Sequence, residues 1–270
     1  MVDKFTHSQG EVYLGDCLEI MPTLADKSVD MILCDLPYGT TACKWDTVIP
    51  FEPLWKQYKR LIKDNGAIVL TASQPFTSTL VMSNIEWFKY EWIWDKKRPT
   101  GFALCKRQPM RQHENVLVFY NSQPTYNRQF RIKDIKNQRP NRVKNSIVNP
   151  YSASETTNIK PKFSSEFDDT QKNPTSILEY SNSNHGKLHP TQKPVALFEY
   201  LIRTYTNEGE IVLDNCAGSG TTAIACINTN RKYICVKKEV KYFEIIKTRL
   251  AEIKQHNHGF FSRRIINGRY

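Results

Sequence analysis

The chain has 270 residues, 40% hydrophobic and 24% charged, with a formal net charge of +11 and a pI near 9.2. That length allows a sizeable core in one large domain, or in one domain carrying an insertion. No apolar run approaches the roughly 18 residues of a membrane-spanning helix, and residues 1–17 lack a signal-peptide hydrophobic stretch, so a cytoplasmic protein is expected.

In chain order, residues 11–16 and 29–35 read as strands, residues 51–63 as a helix, 66–72 as a strand and 74–85 as a helix. Two more strands are expected over 88–96 and 115–120. Periodicity then fails. Residues 121–185 are rich in Asn, Ser, Thr, Pro, Lys and Arg, with only 130–135 and 175–180 strand-like. This stretch is too long for a connecting loop and reads as an insertion with its own task. Regularity returns with a helix over 194–206, opened by Pro194. A strand (210–215), a helix (220–230), a strand (232–237) and a helix (241–255) follow. The alternation is that of an open, mostly parallel α/β sheet. The expected divisions are 1–120 and 186–256 for the main domain, 121–185 for the insertion, and 257–270 for a basic tail.

The positive charge is concentrated. Between residues 96 and 144 stand Lys96, Lys97, Arg98, Lys106, Arg107, Arg111, Arg128, Arg131, Lys133, Lys136, Arg139, Arg142 and Lys144, against only Glu114 and Asp134. With Phe102, Tyr120, Tyr126 and Phe130 interleaved, this density points to a polyanion, DNA or RNA. Cys17, Cys34, Cys43, Cys105, Cys216, Cys226 and Cys235 include no Cys-x-x-Cys pair, and His185 and His189 lack partners at ligand spacing. Reduced, mostly buried thiols and no metal are expected.

Three short segments carry chemistry. Asp35-Leu36-Pro37-Tyr38-Gly39 follows an apolar strand; alone it is an ordinary strand-to-loop turn. Asp214-Asn215-Cys216-Ala217-Gly218-Ser219-Gly220-Thr221 leaves a second strand and opens a helix, and its glycines let a ligand approach the backbone. Alone it also fits a dinucleotide fingerprint loosely. His189-Pro190-Thr191-Gln192-Lys193-Pro194 is the third.

Together and in this order, the three segments resemble the S-adenosylmethionine-dependent amino DNA methyltransferases of the β-class arrangement, across nearly all of residues 12–250 except the insertion. The resemblance implies a Rossmann-like methyltransferase fold and methyl transfer from S-adenosylmethionine to a base swung out of double-stranded DNA. It assigns Asp35, Leu36, Pro37 and Tyr38 to catalysis. Asp16, Cys17, His189, Lys193, Asp214, Cys216, Ala217, Gly218, Ser219, Gly220, Thr221 and the end of the 232–237 strand would hold the cofactor. The thirteen cations would hold DNA, the insertion would recognise the target, and the setting would be a bacterial or phage-infected cell. A homodimer and a cognate restriction enzyme are left open as partners. Asp16 also suits a helix N-cap, and both roles can coexist.

Asp at the first motif position leans toward adenine N6, with cytosine N4 as the alternative. Leu36 stands where Pro is commoner. Lys237 departs further, because the family places a ribose-binding acid there and a lysine cannot accept hydrogen bonds. Lys237→Glu is expected to tighten cofactor binding unless Glu239 substitutes. The departure keeps open an inactive DNA-binding homologue. A third reading, an NADP-dependent oxidoreductase using Lys237 and Lys238, leaves two of the three segments without a role.

Overall fold

A computed structural model describes residues 3–40, 46–132, 171–181 and 192–266, with side chains described as far as Ile253. Nine strands form one sheet. The antiparallel pair β1 (Asp3–His7) and β2 (Gly10–Leu14) begins the chain, followed by the short α1 (Cys17–Ile20) and β3 (Val29–Asp35). Next come α2 (Phe51–Leu61), β4 (Ile62–Ala72), α3 (Phe76–Met82) and the long hairpin of β5 (Phe88–Thr100) and β6 (Arg111–Phe119). The two-residue strands β7 (Arg131–Ile132) and β8 (Gln171–Lys172) pair with each other. The chain closes with β9 (Ile177–Glu179), α4 (Val195–Tyr205), β10 (Ile211–Asp214), α5 (Thr221–Asn228), β11 (Lys232–Lys237) and α6 (Val240–Ile266).

The sheet runs β1-β2-β11-β10-β3-β4-β6-β5-β9. The pairs from β2 through β4 are parallel, whereas β4–β6 and β5–β6 are antiparallel. This is the mixed, mostly parallel sheet expected of the Rossmann-like fold. Both faces are covered. On β3, Met31 and Leu33 enter the layer under α4, α5 and α6, while Ile32 and Cys34 enter the layer under α1, α2 and α3. Burial on both faces is why Met31–Cys34 of β3 reads as a continuous apolar run and not as an alternating one. α2 buries Leu54, Trp55, Tyr58 and Leu61, one stripe of a 3.6-residue period.

Residues 1–127 and 176–270 form one compact unit, and residues 128–175 a smaller one holding β7 and β8. Residues 175–180, assigned by composition to the insertion, instead supply β9. It pairs in parallel with β5, and Tyr180 accepts the Trp94 indole N–H on its carbonyl at 2.8 Å. The first of these edge elements, β1, escaped the sequence reading because "DKFTH" has almost no buried side chain to mark it. α6 extends to Ile266, well into the segment read as a tail.

Candidate active site

Three parallel strands end side by side, β3 at Asp35, β10 at Asp214 and β11 at Lys237, on the carboxyl edge where open α/β sheets form clefts. All three ends line one cavity of about 810 Å³, shared by Asp35–Tyr38, Asp214–Ser219, Asp16, Cys17, Lys193 and Glu239. The two segments that sequence singled out on separate strands thus face the same space.

Asp35 is held from several sides. Its Oδ1 accepts hydrogen bonds from the Tyr38 hydroxyl at 2.8 Å and from the Thr71 hydroxyl, and pairs with Lys193 Nζ at 2.9 Å. The Tyr38 ring stacks on Phe76 with centroids 5.1 Å apart, and Lys193 Nζ lies 5.5 Å from that ring's centre. Burial, reinforced by the Asp35 charge, pushes the Tyr38 phenol well above its ordinary pKa, so it donates and does not ionise. Asp46 accepts the Gly39 and Thr40 N–H groups at 2.9 Å each and so fixes the turn that follows.

Lys193 is 7% exposed and pairs with Glu114 at 3.2 Å as well as with Asp35. Burial works to depress its pKa, but the Asp35 and Glu114 charges outweigh this and hold the ammonium well above its usual value. Glu114 in turn meets Lys96 at 3.4 Å. Lys96, grouped by sequence with the DNA-facing cations, is 5% exposed and points inward, so a phosphate cannot reach it without breaking that pair. Glu114 was not singled out in the sequence, although an isolated acid at the head of an apolar strand within a basic block was a usable signal.

On the side of the glycine loop, Asp214 accepts the Cys216 N–H at 3.0 Å and the Thr222 hydroxyl. Burial outweighs those bonds and raises its pKa to about 6. Gly218 and Gly220 have φ of +50° and +84°. A Cβ on Gly218 would meet nothing within 4 Å, whereas one on Gly220 would press on Ile246 at 3.1 Å. Ser219 is clamped by Arg249, which donates to its carbonyl and hydroxyl, and its hydroxyl donates to Gln192 at 3.1 Å. Asp16 caps α1 by accepting the Leu18 N–H at 2.9 Å and pairs with Lys238 at 3.0 Å. At the end of β11, Lys237 Nζ and Glu239 Oε2 are 2.6 Å apart.

Cys17, Cys34 and Cys216 interact with one another; Cys17 and Cys216 line the cavity, and Cys34 is fully buried. The Cys216 contact and burial push Cys17 far above the usual thiol range, and burial raises Cys34 to about 12. Cys216 is also held well above its usual value: a hydrogen bond with Cys17 works to lower it, but Cys34 and burial prevail.

A family model described as DNA methylase matches residues 29–248. The chain belongs to the DNA methylase family. Curated relatives include the type II methyltransferase M.HpaI of Haemophilus parainfluenzae, 26% identical over 253 residues and covering 87% of this chain and 72% of that protein. M2.MboI of Moraxella bovis is 26% identical over 275 residues, covering 90% and 88% respectively. The solved complex of M1.HpyAVI with S-adenosylmethionine superposes with a TM-score of 0.58 at 25% identity, over 89% of this chain and 99% of that one. The cytosine-N4-specific PvuII DNA methyltransferase shares the fold, with a TM-score of 0.64 at 17% identity over 90% and 87%.

As a DNA methylase the chain uses S-adenosylmethionine to methylate DNA. The cavity suits that cofactor: Gly218 leaves its backbone open to the space, and Asp16, Asp35 and Glu239 offer carboxylates around it. Of the cofactor-site candidates, only His189 lies outside the described residues. Lys97, Arg98, Lys106, Arg107, Arg111, Arg128 and Arg131 are exposed, while Lys133, Lys136, Arg139, Arg142 and Lys144 lie outside the described residues. Among the described residues no group of three or more His, Cys, Asp or Glu is arranged to hold a metal, and no helix is long and apolar enough to cross a membrane.

Proposed function

We propose that this DNA methylase is a site-specific adenine-N6 methyltransferase with the β-class order of motifs, Asp35–Tyr38 preceding the glycine loop. One observation carries the reading: Asp35 and the Asp214–Ser219 segment that holds Gly218 line a single cavity at the carboxyl ends of adjacent parallel strands.

An exocyclic amino group is a poor nucleophile because its lone pair is delocalised into the ring. Asp35 and the Leu36 carbonyl would accept hydrogen bonds from its two N–H groups, favouring a more tetrahedral nitrogen. Thr71 and Lys193 fix the Asp35 carboxylate for that task, and Tyr38, backed by Phe76, would supply an aromatic surface for the base. When bound, S-adenosylmethionine supplies an electrophilic methyl on a sulfonium. Aligning nucleophile and methyl can contribute roughly 7–11 kcal/mol in favourable cases.

The inactive-homologue reading rested on Lys237. Glu239 weakens it, because a carboxylate 2.6 Å from Lys237 stands at the same strand end and lines the cavity, available to the ribose hydroxyls. The type II relatives make a cognate restriction enzyme the proposed biological partner. Transfer of labelled methyl groups to DNA, with mass spectrometry of the digested nucleosides, tests the proposal. N6-methyladenine is expected. N4-methylcytosine would overturn the base assignment, and no transfer would overturn catalysis. Asp35→Ala should abolish transfer while gel-shift DNA binding survives.

A further inference from the structure

The tip of the β5–β6 hairpin presents large apolar side chains to solvent. Gly101, at φ +90°, turns the chain into a single 3-10 turn, Phe102–Leu104. Phe102 is 76% exposed and Leu104 46%. Around them stand Arg98, Lys106, Arg107 and Arg111, all exposed, and no acid occurs between Asp95 and Glu114. Exposed apolar groups rimmed by one sign of charge mark an interaction surface, and here the charge suits phosphates.

The tip is tied to the catalytic carboxylate. Arg98, Pro99 and Thr100, the last residues of β5, line the cavity. A chain of contacts runs from Asp35 to Lys193 at 2.9 Å, to Glu114 at 3.2 Å, to Lys96 at 3.4 Å and on to the Thr100 hydroxyl at 3.4 Å. Thr100 is two residues before Phe102. The strand that leads into this flat aromatic side chain is therefore tied at its end to the pocket that must receive an extruded base.

We propose that Phe102 is the wedge that enters the duplex where the target base leaves it, with Leu104 beside it and the flanking cations on the backbone. Apolar wedges that unstack a base step are a general device for deforming DNA. The inference rests on the proposed methyl transfer to an extruded base. Flipping costs least when the base is already unpaired, and this separates the wedge from the chemistry.

The test uses the full-length protein and duplexes carrying the site found by methylation-sensitive sequencing, with the target base either paired or opposite an abasic position. Phe102→Ala should lower methylation of the paired duplex at least about tenfold, yet stay within about threefold of the parent on the unpaired one. Phe102→Trp should restore the paired rate, and calorimetric S-adenosylmethionine binding should not change. Equal losses on both duplexes, or no loss on either, would overturn the wedge. With 2-aminopurine at the target position, fluorescence should rise on binding and do so less with Phe102→Ala. A Phe102-dependent rise without methyl transfer would sink the catalytic reading and keep the wedge. Methyl transfer with an unchanged Phe102→Ala signal would do the reverse.

Discussion

Asp214 holds its proton more tightly in the folded chain than in the unfolded one, because burial lifts its pKa from 3.8 to about 6. Its contribution to stability is therefore complete below pH 4 and is lost as pH rises through 6. A shift of this size corresponds to about 3 kcal/mol. Asp214→Asn, which keeps an acceptor for the Cys216 N–H, should gain on the parent by up to that amount between pH 4 and pH 7 in urea titrations. A constant difference across that range would refute the assignment. Glu239 gives a second prediction. Glu239→Gln should weaken S-adenosylmethionine about ten- to a hundredfold by calorimetry, the size of a lost charge-assisted hydrogen bond. The expectation that Lys237→Glu tightens binding is revised, because it removes the partner of Glu239 and sets a second carboxylate beside it; unchanged or weaker binding is expected. Asp35 and Asp214 were legible in the sequence because each stands at the abrupt end of an apolar run, and Gly218 and Gly220 because they sit between such a strand and a helix. Thr71 and Phe76 were not, since their roles arise from the β3–β4 pairing and from α3 packing that no local pattern encodes.

At the scale of elements, the loop opening α5 shows two glycines with different duties. Both sit at positive φ, where an L side chain costs roughly 1–2 kcal/mol. At Gly220 the added methyl also meets Ile246 of α6, whereas at Gly218 it projects into the cavity. Gly220→Ala should therefore lower the thermal midpoint more than Gly218→Ala. Gly218→Ala should cost more in cofactor affinity than in stability. Thermal melts with and without S-adenosylmethionine separate the two effects. The helices and central strands were legible from their periodicity. The edge strand β1 was not, since it buries almost nothing; β9 was read as strand-like over 175–180, but its pairing with β5, and so its place in the main sheet, was not.

For the whole molecule, the larger unit contains every strand of the nine-stranded sheet and every described cavity residue, while residues 128–175 form a unit of their own. Replacing residues 128–175 with a short Gly/Ser linker should leave the thermal transition and S-adenosylmethionine binding nearly unchanged. Site-selective methylation should disappear, as sequencing of treated DNA would report. If cofactor binding fails as well, the smaller unit is part of the catalytic fold and not a target-recognition insertion. Composition suggested an interruption over 121–185, whereas the smaller compact unit spans 128–175, because composition carries no information on which strand β9 pairs with. A last consequence follows from Cys17 and Cys216, which line the cavity, and from Cys34, the buried thiol they interact with. Sulfur anions are avid acceptors of alkyl groups, and a pocket built for a sulfonium exposes its own walls to alkylation. Burial and the contacts among them raise the pKa of Cys17, Cys34 and Cys216 above the usual thiol range, so all three are held as thiols near neutral pH. The expected outcome is a polypeptide that its own methyl donor leaves unaltered, which intact-mass measurement after prolonged incubation with S-adenosylmethionine checks.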